Sequence, residues 1–136
     1  MKRSVFLALL IVALAALWAA SGSDGGAPAA PAAGGGNADA GKALFAQTVI
    51  GTQPGCVTCH SLKAGETLVG PSLAGIATRA GSTVSGQSAE QYMRNSILDP
   101  SAHVADGFAQ GIMQSYKDTL SAQQLSDVVA YLQTLK

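Results

Sequence analysis

The sequence is short of aromatic residues, of charge and of cysteine, and each shortage narrows what the chain can do. Aromatics make up 5% of its 136 residues, too few for a row of base-stacking platforms. Eight Lys and Arg are balanced by eight Asp and Glu, so the basic surplus of a nucleic-acid binder is missing. No nucleic-acid partner is expected. No strand pattern rivals the helical ones, and no internal repeat is visible. Large apolar residues are also scarce where folding needs them. The 48% apolar fraction is mostly Ala and a single N-terminal run. From Lys42 to Lys136, 95 residues, only 27 are Val, Ile, Leu, Met, Phe, Trp or Tyr. That is a thin core in a size range where domains are only marginally stable.

What is present divides the chain into three parts. Lys2 and Arg3 precede Val5–Ala20, 16 residues without a polar side chain, and no acid occurs before Asp24. A positive start and an apolar run direct export of the chain beyond them. Residues 1–20 therefore read as a signal peptide or an uncleaved membrane anchor helix. A helix over the run would span roughly 24 Å, short of a hydrocarbon core of about 30 Å. No Cys comes directly after it, which excludes a lipoprotein signal. Residues 21–40 read as a flexible linker, because Ser21–Gly41 holds 16 Ala, Gly or Pro in 21 positions. Such a chain cannot offset its ordering entropy and reaches about 25 Å. A leader of this kind suits a tethered domain, so the retained anchor is favoured over cleavage. The expected location is exported, periplasmic or on the outer face of the cytoplasmic membrane.

Residues 41–136 form the folded domain, which reads as helical. A first helix is expected from about Asp39, its cap, to Ile50, with Leu44, Phe45 and Val49 at helical spacing. A short one is expected around Leu73–Arg79. Ser88 with Gln91, and Ser121 with Gln124, are capping-box pairs. They predict helices over Ser88–Leu98 and from Ser121 to about Leu135. Two long Gly- and Ser-rich stretches, Cys56–Gln87 and Asp99–Leu120, separate them. Loops of that length usually carry function, and with so thin a core they imply that something besides side chains fills the interior.

Cys56-Val57-Thr58-Cys59-His60 explains both features. Cys-x-x-Cys-His is the attachment signature of c-type haem. Two thiols three positions apart reach the two vinyl groups of one porphyrin, and the next residue, His60, becomes the proximal iron ligand. A disulfide redox pair would expect a βαβ setting. A zinc site using Cys56, Cys59, His60 and His103 lacks the usual paired spacing. The second axial ligand is sought among Met93, His103 and Met113. Met93 falls at helical spacing with Ile97 and reads as core. His103 is the main rival to Met113, which lies in a loop and is favoured as ligand. A filled His/Met iron carries electrons and has no open position for substrate.

With these residues in hand, the stretch from Gly41 to Lys136 resembles a class I mono-haem cytochrome c. The resemblance implies an all-α fold, a small helical domain wrapped around one covalent haem c. It implies that Gly41 and Phe45 of the first helix cross Tyr131 of the last. It implies that Pro71, within Gly70-Pro71-Ser72-Leu73, accepts the N–H of His60 through its carbonyl. Ile97-Leu98-Asp99-Pro100, Gly111-Ile112-Met113 and Leu120-Ser121 are similar to domains of membrane respiratory complexes. Those include the cytochrome domain of caa-type oxidase and the small mono-haem subunit of alternative complex III. One departure is Gln114, where that family usually has Pro after the ligand Met. With no copper-binding domain ahead of the haem domain in this sequence, the chain is not expected to be oxidase subunit II itself.

The expected function is one-electron transfer rather than catalysis. The setting would be a membrane-linked respiratory or photosynthetic chain. The partners would be a quinol-oxidising complex and a terminal oxidase or other redox protein, met as a complex subunit or a tethered shuttle. The alternative is a haem sensor or enzyme with a labile distal ligand. From Gly41 onward six Lys/Arg face six Asp/Glu, so association with partners should depend weakly on salt.

Overall fold

The computed structural model describes residues 35–136. The expected anchor or signal over 1–20, and the linker up to residue 34, lie outside the described residues. Among the described residues no helix is long and apolar enough to cross a membrane.

Seven elements succeed one another: α1 (Ala38–Phe45), β1 (Val49–Ile50), β2 (Gln53–Pro54), α2 (Cys56–Cys59), α3 (Ile76–Thr83), α4 (Ala89–Leu98) and α5 (Ala122–Leu132). Helix α1 begins inside the range expected for the linker. Asn37 rather than Asp39 is its cap, accepting from the N–H groups of Asp39 and Ala40 at 2.9 and 3.1 Å. Asp39 instead sits in the first turn, where its charge complements the helix dipole. The helix also ends earlier than its apolar spacing predicts. Val49 and Ile50 leave it to pair antiparallel with Pro54 and Gln53. Ile50 is buried and Val49 exposed, the alternation of a strand. Gly51 makes the turn between the strands at φ +61°, a conformation that glycine adopts without strain.

Both capping boxes are present at the expected residues, Ser88 with Gln91 and Ser121 with Gln124. Each stops its helix fraying at the N-terminus and contributes about 1 kcal/mol. Helix α3 starts later than expected because Leu73 donates its N–H to the Ser61 carbonyl at 2.8 Å. Gly75, left-handed at φ +69°, then turns the chain into Ile76.

Helices α1 and α5 cross, and the crossing depends on a missing side chain. A Cβ on Gly41 would stand 1.9 Å from the Asp127 carbonyl oxygen and 2.9 Å from the Tyr131 Cβ. Phe45 and Tyr131 meet beside it with ring centroids 5.5 Å apart, a favourable tilted pair. The Asp127 carboxylate is buried in α5. It accepts from the Asn37 N–H and from Gln123 Nε2, both at 2.7 Å, which offsets the cost of burying it. Helix α3 packs on α4, and α4 on α5. The core is small, centred on Phe45, Met93, Val128 and Val129. It lies against one wall of a large cavity.

Candidate functional site

The cavity has a volume of about 450 Å³, within the range of roughly 300–1,000 Å³ usual for ligand and cofactor sites. Cys56, Cys59, His60, Pro71 and Met113 all line it. Met93 and Ile97 of α4 and Val128 and Leu132 of α5 add apolar wall. These residues are scattered over more than half the domain in sequence, and the fold gathers them around one space.

The thiols are placed by a single helical turn. Gly55 donates to the Thr48 carbonyl at 2.7 Å. A Cβ there would fall 1.7 Å from the Gln47 carbonyl oxygen. This contact pins the start of α2 to the end of the α1 segment. Thr58 Oγ1 donates back to the Gly55 carbonyl at 2.6 Å, and His60 N–H closes the turn on the Cys56 carbonyl at 3.0 Å. Residues three apart on a helix share a face, so Cys56 and Cys59 both border the cavity. Burial pushes the Cys56 thiol pKa up. Reactive redox cysteines need the opposite shift, which leaves the disulfide-exchange reading without support. Among the described residues, no group of three or more His, Cys, Asp or Glu is placed to hold a metal ion. The zinc reading has no support either.

His60 leaves the turn in extended backbone, φ −119° and ψ 126°. Its ring Nδ1 lies 2.8 Å from the Pro71 carbonyl oxygen. A carbonyl only accepts, so Nδ1 carries the proton and Nε2 keeps its lone pair for a metal. The ring also abuts Gly70, where a Cβ would come within 2.6 Å of Cε1 and 2.9 Å of Nδ1. Backbone bonds hold this arrangement on both sides. Gly70 N–H donates to the Cys59 carbonyl, and Leu73 N–H to the Ser61 carbonyl, each at 2.8 Å. Within the loop, Ser61 Oγ donates to Glu66 and accepts from the Lys63 N–H, and Ser72 Oγ donates to the Lys63 carbonyl at 2.7 Å. Arg79 reaches from α3 to the carbonyls of Ser72 and Ala74.

A cavity with two thiols on one turn, and an imidazole whose free nitrogen is selected by its other bond, fits a covalently held haem. Residues 38–136 match the family model for cytochrome c. The chain belongs to the cytochrome c family. No curated protein shows a significant match to it. As a cytochrome c it holds one haem c through Cys56 and Cys59, and its chemistry is haem-based electron transfer. Most of the domain's regular structure is helical, as expected, with the two-residue strand pair as the exception.

Two residues of this cytochrome's cavity carry no signal in the motif. Tyr116 is buried on the cavity wall, and its hydroxyl donates to the Pro54 carbonyl. Burial holds its pKa above the ordinary 10.0. Arg79, in sequence one cation among six, also lines the cavity. A scarce tyrosine three residues after Met113 is the one hint in the sequence for the first, and the second has none. Met93 is core, 2% exposed. His103 is exposed, with its ring edge-on to Tyr92 at 5.7 Å between centroids.

Proposed function

We propose that this cytochrome c domain is a one-electron carrier whose iron is held by His60 and Met113. It would serve a membrane-linked respiratory or photosynthetic chain, on the outer face of the cytoplasmic membrane or in the periplasm. The donor is a quinol-oxidising complex and the acceptor a terminal oxidase or another redox protein. The domain works there as a complex subunit or as a tethered shuttle. The observation that carries the ligation is that Met113 lines the same cavity as His60 from a loop and is partly buried there, whereas His103 on the same wall is exposed and Met93 is core in α4.

When bound, the haem supplies a one-electron couple whose potential is raised by a Met ligand. The protein's part is to hold the site still. Pro71 fixes the tautomer and direction of His60, and Gly70 leaves its ring the room it needs. The apolar wall of Met93, Ile97, Val128 and Leu132 keeps water away, which limits reorganisation when charge changes. Export and tethering are supported by the Lys2-Arg3 start, the apolar run and the Ala/Gly/Pro stretch. A tether raises the effective concentration near membrane partners without any new contact.

The test is purification of the intact chain from its native membranes, then haem staining and an optical spectrum. A covalent haem with the far-red Met–iron charge-transfer band, co-fractionating with membranes, is the expected result. Absence of that band in the oxidised protein would favour the sensor or enzyme reading. A haem band that never co-migrates with a large complex would favour the shuttle over the subunit.

A further inference from the structure

His103 is the second imidazole of the described domain, and the electron-carrier reading gives it no task. It lines the same cavity as Met113 and His60, and also a smaller neighbouring pocket of about 80 Å³. Its ring nitrogens make no hydrogen bond among the described residues, and its aromatic partner is Tyr92, met edge-on. An imidazole held by an aromatic contact alone is easily moved.

The backbone that carries it is equally free. Residues 99–116 are fastened at their two ends to the last turn of α4. At one end Asp99 N–H donates to the Asn95 carbonyl at 2.7 Å. At the other, Ser115 Oγ donates to the Leu98 carbonyl at 2.5 Å and Tyr116 N–H to the Ile97 carbonyl at 3.1 Å. Among the described residues, no hydrogen bond joins residues 100–114 to anything outside the segment. Where a Pro would stiffen the turn after Met113, Gln114 makes only long side-chain bonds, 3.4 and 3.5 Å, to the Ile112 and Gly111 carbonyls. Met113 and His103 thus share one loop whose ends are hydrogen-bonded to α4 and whose middle is held by side-chain packing alone.

We infer that His103 is a reserve axial ligand, whose imidazole binds the iron when the Met113 thioether leaves it. The inference rests on Met113 being the resident ligand. The exchange breaks an iron–sulfur bond and forms an iron–nitrogen bond. The iron's oxidation state does not change, and an imidazole that begins protonated releases its proton to solvent. Imidazole is the harder donor of the two, so the exchange is favoured in the oxidised protein and lowers the reduction potential. The domain then has a high-potential and a low-potential form, interconverted by one loop.

The full-length holoprotein is compared as wild type, Met113→Ala, His103→Ala and the double variant. Oxidised Met113→Ala is expected to stay low-spin with a bis-imidazole electron paramagnetic resonance signature. The double variant is expected to be high-spin and to bind added imidazole roughly tenfold or more tighter than Met113→Ala, since no internal ligand competes. A high-spin Met113→Ala protein, or single and double variants with the same spectrum, overturns the inference. If Met113→Ala fails to take up haem, wild type and His103→Ala are compared in mild denaturant as the far-red band is lost. A low-spin product in wild type and a high-spin one in His103→Ala is then expected, and identical products overturn it. Failure of the underlying ligation reads out separately, as a missing far-red band in untreated wild type.

Discussion

The two long loops of this cytochrome are alike in composition and opposite in construction. Residues 60–75 are laced to α2, to themselves and to α3 by backbone, hydroxyl, carboxylate and guanidinium bonds. Residues 99–116 are hydrogen-bonded to the other described residues only at their ends, with Met113 packed on the core and the His103 ring against Tyr92 between them. The first loop holds a ligand whose direction must not vary. In the proposed ligation, the second holds Met113 on a stretch without hydrogen bonds to the rest of the domain. Hydrogen bonding is concentrated on the His60 side of the site, and the Met113 side is where the proposed ligand exchange would act.

The sharpest way to break this contrast is to disturb the rigid side. Gly70→Ala puts a methyl within 2.6 Å of the His60 ring, which is itself held by Pro71. We expect a loss of about 1–3 kcal/mol, as for overpacking of a tight site, and a weakened His60–Pro71 bond. Thermal melting and the proton NMR shift and solvent exchange of the His60 Nδ1–H in the reduced protein check both. An unchanged melt would mean that the loop yields, and the contrast with residues 99–116 would disappear.

A smaller effect is expected at the anchor of the loose loop. Tyr116→Phe removes the hydroxyl that donates to the Pro54 carbonyl, at a cost of about 1 kcal/mol. The same hydroxyl gives a pH signature. Its pKa is raised in the folded protein, so its contribution is complete below the ordinary value of 10.0. That contribution is lost as pH climbs through the folded pKa, because the unfolded chain ionises first. Denaturant titrations above pH 10 should show wild type losing stability faster than Tyr116→Phe. Parallel curves would remove Tyr116 from the set of anchors.

The smallest effect comes from stiffening the loop itself. Gln114→Pro limits the unfolded chain and removes a backbone N–H that donates to no other described residue, so a gain of about 0.4–1 kcal/mol is expected. The rate at which added imidazole displaces Met113 should fall with it. A faster rate would show that the Gln114 side chain, for all its long bonds, is the better brace.

Local chemistry is legible in the sequence and tertiary chemistry is not. Ser88–Gln91 and Ser121–Gln124 specify their helix starts within four residues, and both starts are where the pattern puts them. Cys56, Cys59 and His60 sit within five consecutive positions, so their motif survives any uncertainty about the fold. Val49 misleads because its spacing satisfies a helix while its neighbours Ile50 and Gly51 suit a strand and a turn. Asp39 reads as a cap because only the structure shows Asn37 turned towards the helix. Tyr116 and Arg79 join the site through carbonyls, and the partner of Tyr116 lies 62 residues away. No short-range pattern encodes a contact of that kind.

The crossing of α1 with α5 also sets an order of events. A chain made from its N-terminus offers α1, the thiols of Cys56 and Cys59 and the His60 ring well before α5 exists. Val128 and Leu132 of α5 are part of the cavity wall, and α1 finds its partner only when Gly41 can seat against Asp127. With α5 in place, Cys56 and Cys59 remain partly exposed on the cavity wall. The last eleven-residue helix thus supplies both the partner of α1 and part of the wall around the thiols.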